Sequence, residues 1–135
     1  MTEYRNLEDA GAATREPCGN HMLAISNAMV AIYKSQFGRG PTRAWTQWAG
    51  PDAVLCTLED SFTPGERKLA EMGEHQRLRD MRLFMQHATA DDFTGAVELI
   101  TGRKVRAFVS GTDAQNDVSS ELFYFEPLVE GRSGS

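Results

Sequence analysis

The chain is poor in the features that mark secreted, membrane-spanning and nucleic-acid-binding proteins. It has two cysteines in 135 residues. A small disulfide scaffold is denser in cysteine than this. Neither Cys18 nor Cys56 has a Cys-x-x-Cys partner, so the spacing of a zinc site is missing too. No apolar run approaches the roughly 18 residues that a membrane helix needs. The longest one, 22–30, is broken by Ser26 and Asn27. The N-terminus is acidic and polar rather than basic and then apolar, which is unlike a signal peptide. These absences predict a soluble, cytoplasmic protein without a direct membrane span. The net charge of −5 argues against a nucleic-acid partner, because phosphate backbones are met by basic surfaces.

What is present is enough for one compact domain. Hydrophobic residues make up 41% of the chain, sufficient to fill a core at this length. Residues 1–19 have little apolar periodicity and read as a flexible N-terminal arm. Residues 128–135, ending Gly131-Arg132-Ser133-Gly134-Ser135, read as a disordered tail. The working domain is expected at 20–127.

Within it, Met22, Ile25, Met29, Ile32 and Tyr33 fall in steps of three and four and predict a helix over 21–37. Asn20 would cap it, and Gly38-Arg39-Gly40-Pro41 would stop it. Gly50-Pro51-Asp52 is turn chemistry between two strand-like runs, 42–48 and 53–59, and predicts a hairpin with a four-residue connection. Thr63-Pro64-Gly65-Glu66 has the form of a capping box with proline at the first helical position. A helix therefore starts at Pro64 and ends or bends at Gly73. A longer helical pattern follows, from Leu78 to Ile100, with a kink near 89–91 and a left-handed stop at Gly102. Strands are expected at 104–110 and 119–126, joined by a polar loop. The order α-β-β-α-α-β-β predicts an α+β fold. It is a two-layer α/β sandwich, with a mainly antiparallel four-stranded sheet and helices on one face. The last strand looks apolar on both faces, and Trp45, Trp48 and Phe108 add aromatic surface. An uncovered apolar sheet face is usually an interface, so a homodimer is expected, the alternative being that the N-terminal arm or the first helix folds over that face.

Few residues point to chemistry. Cys56, in the run Ala53-Val54-Leu55-Cys56, reads as a buried inert thiol. His87 and Asp91 are four apart on the expected helix and share a face there, but two ligands make a weak metal signal against an ordinary polar face. Gly38, Gly40 and Pro41 follow a helix rather than precede one, so a phosphate cradle fits poorly and a sharp turn fits well. Glu66 reads as a capping residue before a general base. The remaining chemistry lies in arginines. Arg79 and Arg82 are three apart, with Arg77, Glu74 and Asp80 near them. A solvated salt-bridge face and a small-anion site both fit them. Arg39 follows the first helix, and Arg103 begins a second basic cluster with Lys104 and Arg106. No catalytic set and no cofactor motif emerges.

Several segments together resemble the MpsC-like family. They are Ser26-Asn27-Ala28-Met29-Val30, Phe37-Gly38-Arg39-Gly40-Pro41-Thr42, Leu58-Glu59, Phe62-Thr63-Pro64-Gly65-Glu66-Arg67, Arg79-Asp80-Met81-Arg82, Leu99-Ile100-Thr101-Gly102-Arg103-Lys104-Val105 and Phe108-Val109-Ser110. They span 23–126 in the family's order. The family takes its name from a proposed sodium-translocating, membrane-potential-generating system whose other components are linked to uptake of inorganic carbon. The resemblance implies a small accessory component with a membrane-protein partner, and it carries no catalytic residues over. Its motif positions include Gly38, Arg39, Gly40, Pro41, Thr63, Pro64, Glu66, Arg67, Arg79, Arg82, Gly102 and Arg103. Three functional readings follow. They are a non-catalytic accessory protein of a membrane ion or bicarbonate system, a small-anion or nucleotide sensor using Arg39, Arg79 or Arg82, and a hydrolase-like enzyme near Glu66, His75 or His87.

Overall fold

The computed structural model describes residues 5–6 and 17–128, with side chains from residue 21 onward. The remainder of the expected arm and tail and the Cys18 side chain lie outside the described residues, and Asn20 lies within α1 rather than ahead of it, so it is not the helix cap expected from the sequence. The elements are β1 (Arg5–Asn6), α1 (Pro17–Phe37), β2 (Arg43–Trp48), β3 (Ala53–Glu59), α2 (Pro64–Glu71), α3 (His75–Ala88), α4 (Ala90–Thr101), β4 (Val105–Asp113) and β5 (Val118–Phe125). All strand pairs are antiparallel, in the order β1-β2-β3-β5-β4. The α+β architecture and the order of helices and main strands are as the sequence predicts, and the two-residue β1 is added at the β2 edge.

The local devices are also as expected. Thr63 caps α2 and Glu66 returns a bond to the Thr63 backbone, completing the capping box. Gly102 closes α4 in the left-handed region, at φ 73°. The hairpin between β2 and β3 closes with Ala49 N donating to Ala53 O at 2.8 Å.

Three boundaries differ from expectation. α1 begins at Pro17, because proline is tolerated in a first helical turn, where its missing N–H costs nothing. The long helix does not kink but divides at Thr89, which leaves helical geometry at φ −118° and ψ 26°. Its Oγ1 donates to Met85 O and accepts from Gln36 of α1, bonds that compete with helix propagation. His87 and Asp91 therefore sit on separate helices and do not share a face. β4 continues to Asp113 where a loop from Gly111 was expected, because Gly111, Thr112 and Asp113 still find partners in Ser120, Ser119 and Val118.

The register defines the two faces of the sheet. On one face Trp48, Val54, Phe123 and Phe108 form a row across four strands. Thr46, Cys56, Glu121 and Ser110 form the next row, and Ala44, Leu58, Ser119 and Thr112 the third. This face packs against Ile25, Met29 and Tyr33 of α1 and Phe93 and Val97 of α4, all fully buried. Phe108 stacks between Phe93 and Phe123, at centroid distances of 5.4 and 4.9 Å. It belongs to the covered face, not to an open one. Trp48 lies at the margin of the same face, against Phe125. On the opposite face Leu55, Leu122 and Val109 line up across β3, β5 and β4, with Tyr124 beside them. None of the described helices packs its buried side chains there, and Val109 is 55% exposed.

Phe123 joins the central strand to both helices, so Phe123→Ala leaves a cavity that its neighbours cannot fill. It is expected to lower the unfolding free energy by about 3–5 kcal/mol in chemical denaturation, with native secondary structure retained.

Candidate functional site

Among the described residues, buried polar groups gather where α3 meets α1, α2 and the sheet. The gathering begins with the α2 cap. Glu66 sits three residues after Thr63, so its carboxylate turns back over the helix start, where Oε1 accepts from Thr63 N at 2.9 Å. The same carboxylate takes both arms of Arg82: Nε donates to Oε2 at 2.8 Å and Nη2 to Oε1 at 2.6 Å. Arg82 is 0% exposed. Its remaining donors reach Ser61 Oγ and Ser61 O, each at 3.2 Å. Its guanidinium lies 3.8 Å from the Phe37 ring centroid and 5.0 Å from that of Phe62. Burial works against the Glu66 carboxylate, but the Arg82 and Thr63 hydrogen bonds together outweigh it and hold Glu66 below its ordinary range.

One helical turn beyond Arg82, Gln86 faces the polar row of the sheet. Its Nε2 donates to Glu121 Oε2 at 2.7 Å and to Tyr33 Oη at 2.9 Å, and Tyr33 Oη donates to the same Glu121 oxygen at 2.5 Å. Glu121 and Gln86 are both fully buried. Glu121 Oε1, Gln86 Oε1 and Ser110 Oγ have no hydrogen-bond partner, although Ser110 stands directly across from Glu121 on β4. Burial pushes Glu121 up to about 7, against the lowering pull of Tyr33, Ser110 and Arg82. Burial and then Glu121 push Tyr33 well above its ordinary value. Cys56, beside Glu121 in the same row, is a free buried thiol pushed up to about 12 by burial, so it stays protonated and unreactive. The row continues through Thr46, which shares a 2.8 Å bond with Ser26 of α1.

The sequence-predicted arginines take separate positions. Arg82 turns inward, away from any shared site with Arg79, whose Nη2 donates to Gln76 at 2.6 Å on the surface of α3. Arg77 pairs with Glu74. Arg39 donates to the backbone oxygens of Asp60 and Phe62 and pairs with the Asp60 carboxylate at 3.3 Å. It braces the left-handed Asp60 turn that leads into α2. Gly38, also left-handed at φ 85°, and Pro41 form the turn that brings Arg39 there. Arg103 lies at the other end of the sheet. It bonds Asp52 at 2.7 Å, the backbone oxygens of Pro51 and Glu126, and covers the Phe125 ring. It locks the α4–β4 junction to the β2–β3 turn. Arg39 and Arg82 thus converge on segment 60–66, while Arg79 and Arg103 do not join them.

Gln86 and Glu121 are not among the residues the sequence singles out, and Tyr33 appears there only as part of the apolar face of the first helix. Two signals carried them. Glu121 is two and four positions before Phe123 and Phe125 on an alternating strand, which places it on their face. Gln86 continues the spacing of four from Leu78 and Arg82, the buried side of α3.

Two predictions follow from this geometry. Arg82→Ala leaves Glu66 without its charge partner in a closed site. It is expected to cost on the order of 3–5 kcal/mol in denaturant unfolding, while the paired change Glu66→Gln with Arg82→Met recovers part of that loss. The pH dependence has two limbs of opposite sign. Glu66, held low, contributes stability that is present above the ordinary carboxylate value and is lost as pH falls through its lower folded value. Glu121, held high, contributes stability that is present below the ordinary 4.5 and is lost as pH rises to about 7. That second limb amounts to something on the order of 3 kcal/mol. Denaturant titrations from pH 4 to 9 are therefore expected to give maximum stability on the acid side of neutrality.

No helix among the described residues is long and apolar enough to cross a membrane. No curated protein and no solved structure matches the chain. A family model described as "Na+-translocating membrane potential-generating system (MpsC)" matches residues 19–127, and the chain belongs to this MpsC family.

Proposed function

We propose that the chain is a non-catalytic accessory or regulatory component of a membrane ion or bicarbonate translocation system. It works in the cytoplasm through protein contacts, as a homodimer joined by its open sheet face. The observation that carries this reading is that face. Leu55, Leu122 and Val109 stand in register across three strands, and the described helices all pack on the other side. A flat sheet surface with an apolar row at its centre is stabilised when a like surface excludes water from it. The family's association with a membrane system supports the accessory role and a membrane-protein partner.

The sensor reading, with a small anion at Arg39, Arg79 or Arg82, draws less support. Arg82 is fully buried on Glu66, and Arg39 is committed to Asp60 and Phe62. A hydrolase-like reading around Glu66 meets the same difficulty, because that carboxylate is saturated by Arg82 and the cap.

Light scattering on the purified chain at tens of micromolar is expected to give the mass of a dimer. Val109→Glu and Leu122→Glu, which place charges on the open face, are expected to give monomers with unchanged helical content. A monomeric wild-type chain would remove the homodimer. Failure to co-purify with any membrane component would remove the accessory role.

A further inference from the structure

α3 is held differently from the other helices of the main core. α1 and α4 present mostly apolar side chains to the sheet: Ile25, Met29 and Tyr33 from one, Phe93 and Val97 from the other. The fully buried side chains of α3 are Leu78, Arg82 and Gln86, two of them polar. Leu78 packs with Phe62 and Ala114, and Leu83 and Met85 are half-buried. To this apolar contact are added two carboxylates on other elements, Glu66 through Arg82 and Glu121 through Gln86. The helix is also bounded by two breaks in helical geometry, Gly73 at φ 82° and Thr89 at φ −118°. Its outer side carries Met81, 40% exposed, and Phe84, 71% exposed.

The two anchors differ in charge. Glu66 is an anion matched by a cation. Glu121 has no cation of its own. The groups that face it are Tyr33 from α1, Gln86 and Arg82 from α3, Cys56 from β3 and Ser110 from β4, and the Arg82 charge is spent on Glu66. An ionised Glu121 would keep a charge with no cation of its own away from water, the state that desolvation penalises most, with only the neutral Ser110 hydroxyl across from it on β4. A proton on the carboxyl removes that charge.

We propose that Glu121, with Tyr33, Gln86 and Ser110, forms a buried proton-binding site that controls the docking of α3. With the proton bound, the helix is latched to the sheet. Loss of the proton strengthens the Gln86 bond itself, but it leaves an uncompensated charge in the closed core, and the larger cost of keeping that charge from water favours α3 swinging open between Gly73 and Thr89. The charge is then reached by water, and Leu78 and Arg82 are released from their contacts. The device is separate from the open sheet face, which lies on the other side of the sheet, so it stands whatever occupies that face.

Native-state hydrogen exchange tests it on the intact chain. After correction for intrinsic rates, the opening constant of α3 amides is expected to rise by up to about tenfold per pH unit from pH 5 to neutrality, the slope set by one linked proton, and to level off above. The amides of β3 and β5 are expected to keep their protection. Glu121→Gln, which keeps the shape and supplies a permanent donor, is expected to abolish the slope in α3. A slope that survives in this variant, a slope shared equally by all elements, or no slope at all would overturn the proposal. Should the variant fail to fold, carbon-13 NMR of the wild-type Glu121 carboxyl decides. A midpoint near neutrality supports the site, and one at the ordinary carboxylate value overturns it.

Discussion

The bidentate pair between Arg82 and Glu66 is the contact on which the helical layer depends. A guanidinium with no exposure, set among aromatic rings, persists only if its charge and its donors are answered in place. Glu66 answers them while it caps α2, so one carboxylate fixes the start of one helix and the inward face of another. Ser61 takes the remaining donors, and its own backbone N–H is held by Asp117 from the turn between β4 and β5. Arg39 braces the same segment from the end of α1. The segment from Asp60 to Glu66 is thereby tied to α1, α3 and the sheet, and the arginines that the sequence offered as ligand sites are consumed in building it.

A second polar centre lies deeper, and its logic is inverted. Glu121 sits in a row of the sheet otherwise made of Thr46, Cys56 and Ser110, with Tyr33 and Gln86 above it. Here burial outweighs the lowering interactions, and the carboxyl is carried near its neutral form. Two carboxylates thus contact one helix, one held low by its cation and one pushed up by burial.

The two faces of the sheet differ in what they carry. The covered face contains the aromatic stack Phe93, Phe108 and Phe123 and both polar centres, and the open face offers an apolar row with no chemistry of its own. Membership of the MpsC family sets this division in the context of a membrane-potential-generating system. On the accessory reading proposed above, the open face is the surface for a partner and α3 the element that changes state.

Local chemistry made the elements legible. Thr63-Pro64-Gly65-Glu66 determines where α2 begins, Gly50-Pro51-Asp52 where the hairpin turns, and Gly102 where α4 ends. Each acts through bonds or φ angles within a few residues, so neighbours in sequence suffice. The α+β class and the family followed from those segments. What tertiary structure alone decided is which polar residues turn inward. Arg82 reads as a surface charge until Glu66, 16 positions away, is folded against it. Glu121 falls on the face of Phe123 and Phe125 by alternation, but its burial is possible only where it meets Tyr33, 88 positions away, and Gln86, 35 away. A break near 89–91 is legible in the sequence, and Gln36, 53 positions earlier, adds a tertiary bond to the Thr89 hydroxyl that stands there. Periodicity marks the face on which a residue lies. Whether a polar residue can be buried there depends on a partner from a distant segment, and that partner exists only once the chain has folded.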